Sequence, residues 1–378
     1  MALSPPPVRS WAAGEWSPEA FTLVMATAIV STAAADQRCR VIALSLGVLA
    51  AAAFALLTVI VSARVARAPA AFGQQLRDPD VALRSFTVVA ACGVLAAELG
   101  FELGPQLGQV QTLIAWSLGA AELTAWLGLV PMAIIDMCSR PAGELRDHAH
   151  GSWLLISVGT QSLAISAADL AHGGAARPLL LLLALAWWLL GLLGYVVVTW
   201  LIMWRALVGP MVAAKVTPDI WILMGALAIA TLAGDRILAA RPATAGLAWL
   251  ITVARPQTLI LWIMASAWIP LLLSAQMWRV ARRPASLHDQ GAWWATVFPL
   301  GMYSCATFGL SVRLHSPALR AVSLSFCWLG LTAWLIVALG LLHNHWRKRI
   351  RLTRNPQPAG IRPTPPRRQH KRTPPSAR

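Results

Sequence analysis

Ten apolar stretches follow one another along this chain, each about as long as a helix that crosses a bilayer. A spanning helix needs roughly 20 predominantly apolar residues to cross a hydrocarbon core about 30 Å thick. Only short polar breaks separate the stretches, and none is long enough for a separate soluble domain. The sequence therefore predicts an all-α integral membrane protein with ten transmembrane helices. The predicted spans are residues 18 to 35, 41 to 63, 82 to 101, 110 to 136, 151 to 171, 178 to 204, 218 to 238, 256 to 280, 291 to 312 and 318 to 342.

The charges of the chain are few and unevenly placed. Hydrophobic residues make up 57% of the chain and charged residues 12%, which is incompatible with a soluble surface. Of a formal net charge of +16, eleven basic residues and no acidic ones lie from Arg347 onward. We therefore divide the chain into an N-terminal cytoplasmic segment (1–17), a transmembrane domain (18–342) and a Pro- and Arg-rich tail (343–378) predicted to be disordered. We expect the tail to bind anionic lipids, and it lacks the folded basic face of a nucleic-acid-binding domain.

The basic residues also orient the spans. With an even number of spans both termini share one side, which receives twelve of the arginines and lysines outside the tail, against eight on the other side. The tail adds its basic residues to the same side, so the positive-inside rule predicts a multi-pass protein of the cell membrane with both termini in the cytoplasm. The first stretch ends in small residues from Ser31 to Ala35, which resemble a signal-peptide cleavage site. Because Arg9 alone offsets Glu15 and Glu19 ahead of it, we interpret the stretch as a retained helix.

Residues that several classes of membrane protein and enzyme require are missing from the spans. The lysines lie in loops or the tail, which excludes a retinal Schiff base, and the histidines lie outside the spans or at their ends, which argues against a b-type haem. The sequence has no motif for ATP binding, for a metalloprotease or for a nucleophile elbow. The five cysteines form no C-x-x-C pair. We therefore predict no enzyme, no metal site and no cofactor, and a path for solutes is the economical explanation.

The spans differ in polarity. Span five carries many small and polar residues, including Thr160 and Gln161, whereas span six is almost entirely apolar, and span nine is likewise more polar than span ten. Such residues either line a wet path or let helices pack closely, and composition leaves both alternatives open. On the first alternative, Thr27, Thr160, Gln161 and Ser304 are candidate pore or coupling residues. Glu122 is the deepest ionisable residue, and both a transport role and a structural, hydrogen-bonded role are open for it.

Three segments resemble one known family. Trp293 to Tyr303 read WWATVFPLGMY, which resembles the W-W-x-x-x-F-P segment of the tellurite-resistance/dicarboxylate transporter family. Phe21 to Ser31 are similar to the family's F-x-x-V-M-G-T-G-x-x-S, with alanines in place of glycines, and the loop from Phe72 to Pro79 is similar to its F-x-x-x-L-x-x-P. The family includes TehA-like bacterial proteins, yeast malate and sulfite transporters and plant slow anion channels. The resemblance covers residues 16 to 342.

The resemblance implies a specific arrangement of the ten helices. Five helical hairpins would place the odd-numbered helices around a central pore and the even-numbered ones in an outer ring, usually with three protomers that each hold a pore. It also implies that Phe298 occludes the pore, where an aromatic ring blocks passage without offering an ion a ligand. Pro299, which lacks a backbone N–H, is expected to kink the ninth helix beside it. This chain departs from the family in having no proline in spans three and five, and no lysine or arginine lies in the middle of any span.

Three functions are open from the sequence. The first is transport of small anions, such as C4-dicarboxylates, sulfite or tellurite-related oxyanions, gated at Phe298. The second is proton-coupled dicarboxylate transport through Glu122. The third is a non-transporting membrane scaffold whose tail binds a partner. The resemblance favours the first.

Overall fold

The chain is helical in every regular element of its described part. A computed structural model describes residues 20–102, 109–171, 176–209, 212–240, 248–284 and 292–354. A long helix overlaps each predicted span, and we number these helices in chain order. They are α1 (Ala20–Asp36), α2 (Arg40–Arg67), α3 (Phe86–Glu102), α4 (Gln109–Cys138), α5 (Leu155–Leu170), α6 (Arg177–Val208), α7 (Ile222–Ala239), α8 (Ala248–Arg282), α9 (Trp294–Leu314) and α10 (Pro317–Arg354).

Length and composition support membrane spans for most of these helices. Within the described residues, nine spans are long and apolar enough to cross a membrane, whereas α1 has 17 residues and is shorter. The spans of α3, α5 and α7 include short helical segments that precede these helices. Further short helices lie in the loops. The short segments are Pro69–Gln75, Pro79–Arg84, Ala142–His148, Gly151–Leu154, Ala213–Lys215 and Pro218–Trp221.

The last helix is longer than the sequence predicted. The tenth span was expected to end at residue 342 and a disordered tail to follow, but α10 continues to Arg354. Residues 343 to 354 are therefore helical, and the prediction of disorder is wrong for them. Arginine and lysine are good helix formers, so the basic sequence that begins at Arg347 is compatible with a longer helix. Residues 355 to 378 of the predicted tail and the N-terminal segment 1–17 lie outside the described residues.

Burial alternates along the chain. In the spans that contain α3, α5, α7 and α9, 72 to 83% of residues are buried, compared with 17 to 33% in those of the even-numbered helices. Helix α1 is also buried along most of its length. The sequence showed this contrast only for spans five and six and spans nine and ten. Helices with broad exposed apolar faces suit contact with lipid, so the even-numbered helices form the outer layer.

The buried helices form a closed ring. Helix α1 packs against α3 and α9, α5 packs against α3 and α7, and α7 packs against α9. Each of α2, α4, α6 and α8 packs against the ring helix of its own hairpin. Helix α10 joins α9 through the Ser304 hydroxyl, which donates to the carbonyl oxygen of Ser323 across 2.8 Å. The residues up to Val337, within which this packing lies, make one compact unit.

Polar contacts at both ends show that α3, α5 and α7 run in the same direction. Before α5, the Trp153 indole donates to Asp80 across 2.8 Å, and the backbone N–H of Ser152 donates to Asp219 across 2.8 Å. Asp80 precedes α3 and Asp219 precedes α7. Near the opposite ends, Arg236 of α7 lies 3.6 Å from Asp169 of α5. The starts of these three helices are thus gathered at one end of the ring.

Tryptophans of four outer helices connect their hairpins to the next ring helix. In α4, α8 and α10 an indole N–H donates to a threonine hydroxyl of the following ring helix, and in α6 it donates to a backbone carbonyl. The α10 bond reaches back to α1, which closes the ring. Helix α2 contains no tryptophan. The four bonds are Trp126 to Thr160 at 2.9 Å, Trp188 to Ala230 at 2.8 Å, Trp262 to Thr307 at 2.9 Å and Trp334 to Thr27 at 3.0 Å.

Candidate functional site

A small cavity lies inside the ring, and all five ring helices line it. Its volume is about 20 Å³, which is room for about one water molecule. Its wall is mostly apolar, with polar groups contributed by Thr32, Ser162 and Arg236. Since every ring helix contributes, the cavity marks the axis of the ring. The lining residues are Ile29 and Thr32 of α1, Gly93, Val94 and Ala97 of α3, Ser162 and Ile165 of α5, Leu232 and Arg236 of α7 and Met302 of α9.

The contacts of α9 indicate which of its faces points toward the ring axis. Helix α9 meets α7 at Pro299, α1 at Gly301 and α10 at Ser304. Met302, which lines the cavity, lies four residues after Phe298, so the two side chains share a helix face. We infer that Phe298 also points toward the ring axis, one helical turn from the cavity. Its side chain is fully buried.

Pro299 lies within α9 and packs against α7. A Cβ atom added to Gly225 of α7 would lie 3.0 Å from the Pro299 ring, so glycine at this position permits the close approach of the two helices. The backbone N–H that Pro299 lacks leaves one helical hydrogen bond unmade. The kink expected at Pro299 stays a prediction.

Arg236 brings a cationic side chain to the cavity. Its Nη1 lies 3.6 Å from Asp169 Oδ1, and the two side chains are 29% and 26% exposed. The loop count had assigned Arg236 to the outer side of the membrane, although residue 236 falls near the end of the predicted seventh span, and no arginine or lysine was expected in the middle of a span. In the structure Arg236 lies near the end of α7, and its long side chain lines the cavity from there.

Glu122 stands one layer behind the cavity wall. Its side chain is fully buried, and the Ser166 hydroxyl donates to its Oε2 across 2.6 Å. Its Oε1 would lie 2.5 Å from a Cβ atom added to Gly93, in a space that the Ser162 hydroxyl also borders. Gly93 and Ser162 both line the cavity. The carboxyl group of Glu122 is therefore separated from the cavity only by a glycine and a hydroxyl.

A second buried glutamate, Glu98, faces other helices. The Ser31 hydroxyl of α1 lies 2.6 Å from Glu98 Oε1. The same carboxyl group fills the space beside Gly47 of α2. Glu98 thus joins three helices at a position that is not part of the cavity wall.

Thr27 and Thr160 belong to contacts between helices. Thr27 accepts a hydrogen bond from Trp334, and its own hydroxyl donates to the carbonyl oxygen of Leu23 across 2.7 Å. Thr160 accepts from Trp126 and donates to the carbonyl oxygen of Ile156 in the same way, also at 2.7 Å. Both hydroxyls are turned toward the outer layer. These contacts replace the pore-facing role that the sequence suggested for the two threonines.

Gln161 and Ser304 also point toward the outer layer. The side-chain amide of Gln161 donates to the carbonyl oxygen of Trp188 across 3.0 Å and lies against Gly191, both in α6. Ser304 bonds to α10 through Ser323. Their contacts assign both residues to helix packing, the alternative that composition had left open. Of the candidate residues, Phe298 lies one helical turn before Met302 of the wall and Glu122 lies against Gly93 and Ser162, whereas Thr32, Ser162 and Arg236 themselves line the cavity. A pore role for Phe298 and Glu122 stays a prediction.

Comparison with known proteins establishes the family. A sequence profile described as voltage-dependent anion channel matches residues 15–342. The match covers all five hairpins of the ring. The chain belongs to the voltage-dependent anion channel family. This result confirms the resemblance to the tellurite-resistance/dicarboxylate transporters, which are the same family. Its members are anion channels and transporters with an all-α membrane fold.

A mycobacterial relative agrees with the membrane location. The chain is 31% identical over 150 residues to an uncharacterized membrane protein of Mycobacterium tuberculosis, in strain H37Rv and in strain CDC 1551. The alignment covers 40% of this chain and 76% of the relative. The relative is named only as a membrane protein. Together with the apolar helices, it supports the prediction of a multi-pass membrane protein.

Proposed function

We propose that this protein passes small anions along the axis of its inner ring and that Phe298 occludes the path at rest. The observation that carries the proposal is the cavity, because all five ring helices line it and Phe298 lies one helical turn away. Family membership supplies the solute class. The candidate substrates are C4-dicarboxylates, sulfite and tellurite-related oxyanions. The mostly apolar wall favours weak binding and fast passage.

The test is anion flux in proteoliposomes that contain the purified full-length chain. Malate, sulfite, tellurite and chloride are supplied one at a time under a concentration gradient, with protein-free liposomes and a cation gradient as controls. Anion-selective flux or current for at least one of these anions is expected. Absence of flux for all four under gradients of both directions would contradict the proposal. That outcome would favour the scaffold hypothesis, in which removal of residues 355–378 abolishes binding of a partner.

Proton coupling through Glu122 is the second candidate function. It is supported by the position of the Glu122 carboxyl group directly behind Gly93 and Ser162 of the cavity wall. A buried carboxyl group that can exchange a proton with a wet path is a recurring element of proton-coupled transporters. In such a mechanism Glu122 would bind and release a proton as the anion passes, and Ser162 would relay it.

Two matched variants test the coupling. With an inward proton gradient, Glu122→Gln is expected to remove the dependence of malate uptake on pH. Glu98→Gln alters the other buried glutamate, which joins α1, α2 and α3 away from the cavity wall, and is expected to keep that dependence. Malate flux that is independent of pH in the parent protein would eliminate this candidate and leave passive conduction.

We propose, on the same resemblance, that three protomers assemble and that each has its own path. The loop charges support a cell-membrane protein with both termini in the cytoplasm. The basic C-terminal residues are expected to bind anionic lipid headgroups. Native mass spectrometry of the protein in mild detergent tests the assembly, for which a mass of three chains is expected and a monomer in all detergents would contradict it.

A further inference from the structure

Arg236 is the one charged side chain among the described residues that line the axial cavity. It lies near the C-terminal end of α7, whereas most of the other lining residues come from near the middle of the ring helices. An anion that enters the ring from this end meets Arg236 before it reaches Phe298, which lies near the start of α9. Of the two hydroxyls at the cavity wall, that of Thr32 donates to the carbonyl oxygen of Ala28 across 3.1 Å, which leaves the Ser162 hydroxyl as the further hydrogen-bond donor for an anion.

The charges around Arg236 are arranged in two groups. Asp235 pairs with Arg313, which also donates to the Asp235 backbone carbonyl across 2.8 Å. This pairing engages the adjacent carboxylate of α7. Arg236 lies 3.6 Å from Asp169, and Asp36 and Asp235 are also near enough to act on it electrostatically.

We propose that Arg236 is the anion-binding residue of the pathway and that Asp169 is a resident counterion which the incoming anion displaces. This inference rests on the proposed anion transport and names the residue that binds the solute. The ligand class is a small oxyanion or carboxylate. In the resting state Arg236 is held by Asp169, and in the loaded state its guanidinium binds the solute anion.

The geometry of the pair favours such an exchange. The guanidinium carries five donors in a planar fork that matches a carboxylate or oxyanion, and its Nη1 lies 3.6 Å from Asp169 Oδ1, which is longer than a charge-assisted hydrogen bond. Both side chains are about one quarter exposed, and ion pairs in contact with solvent contribute little net stability. The replacement of one anion by another at Arg236 therefore conserves charge and loses little binding energy.

An exchange site makes opposite predictions for the two partners. In Arg236→Gln the main donor is lost, and the malate concentration that gives half-maximal flux is expected to rise about tenfold. In Asp169→Asn the competing carboxylate is lost, and that concentration is expected to fall several-fold. Arg236→Lys keeps the charge but not the fork and is expected to lie between the parent and Arg236→Gln.

The control removes a positive charge from the same end of the ring without touching the cavity. Arg320→Gln removes an exposed guanidinium that lies over the Phe308 ring at the start of α10; it leaves Arg236, Asp169 and the Asp235–Arg313 pair in place and is expected to keep the half-saturating concentration of the parent. A second readout does not depend on transport, namely the rise in melting temperature that sodium malate and sodium sulfite cause in the detergent-solubilised protein. Sodium gluconate at equal ionic strength serves as the salt control. The rise is expected in the parent, larger in Asp169→Asn and absent in Arg236→Gln.

The outcomes separate the two claims. If the parent is stabilised by malate or sulfite but shows no flux, anion transport fails while the binding site stands. If flux occurs and Arg236→Gln saturates as the parent does, the site is wrong and transport stands. If Arg236→Gln and Asp169→Asn weaken anion binding alike, the pair is a structural ion pair and the exchange is overturned. If neither binding nor flux is seen in the folded parent, both are overturned.

Discussion

The indole N–H of Trp334 donates to the hydroxyl of Thr27 across 3.0 Å, and this bond joins the last hairpin of the chain to the first. Thr27 in turn donates to the carbonyl oxygen of Leu23, so its single hydroxyl hydrogen is already used. The indole therefore supplies the donor, and the hydroxyl supplies the acceptor. Equivalent bonds join Trp126 to Thr160 and Trp262 to Thr307, so the same tryptophan–threonine hydrogen bond occurs at three contacts between hairpins.

The first prediction concerns this bond. In a double-mutant cycle, Trp334→Phe and Thr27→Val are expected to show a coupling free energy of about 0.5 to 1.5 kcal/mol, because each change removes one partner of the same hydrogen bond. The measurement is the unfolding free energy in detergent or bicelles. Trp328→Phe serves as the control, since that α10 tryptophan is 48% exposed and its change is expected to have little effect. Additive effects of the two substitutions would contradict the assignment.

The second prediction concerns Gly93. Its added methyl group would clash with the Ser162 hydroxyl and lie 2.5 Å from Glu122 Oε1. Gly93→Ala is therefore expected to lower the unfolding free energy by about 1 to 3 kcal/mol and to lower the yield of folded protein. At Gly128, nothing lies within 4 Å of an added Cβ atom. Gly128→Ala is expected to be neutral or stabilising by up to about 1 kcal/mol. Equal melting temperatures for the two variants would argue against the packing described around Glu122.

The third prediction concerns orientation. Cys138 is exposed at the end of α4, whereas Cys39 lies in the link between α1 and α2 and is partly buried. If both termini are cytoplasmic, an impermeant maleimide added to intact cells is expected to label a protein whose single cysteine is Cys39 and to spare one that retains Cys138. Inverted vesicles are expected to reverse the result. Labelling of Cys138 from outside would place the termini on the other side.

Much of the fold could be predicted from the sequence because the bilayer imposes strong constraints. Apolar length places each helix, and the three family segments near Phe21, Phe72 and Trp293 indicate the ring of odd-numbered helices. The end of α10 could not be placed in this way, since hydropathy reports where a helix leaves the bilayer and says nothing of where the helix itself ends. The basic residues up to Arg354 continue the helix.

The site was harder to predict, because the sequence does not show whether a hydroxyl group lines a path or forms a hydrogen bond with a neighbouring helix. Thr160 and Ser162 belong to the same span, yet Thr160 accepts from Trp126 while Ser162 lines the cavity. What separates them is the direction of each side chain in three dimensions. Arg236 falls near the end of the predicted seventh span, and its contribution to the cavity wall depends on the reach of its long side chain, which the sequence does not give.

The most direct test of the account is the conductance of Phe298→Ala in planar bilayers or proteoliposomes. If the Phe298 ring occludes the axis, its removal opens the path and the variant is expected to conduct anions at least tenfold better than the parent. Phe21→Ala is the matched control, because Phe21 is a buried ring that packs edge-on against Phe54 of α2 at a centroid distance of 5.9 Å. Phe21→Ala is expected to lower the unfolding free energy without raising the anion conductance. Anion conductance of folded Phe298→Ala that equals the parent value, or an equal increase in Phe21→Ala, would contradict the assignment of Phe298 as the gate.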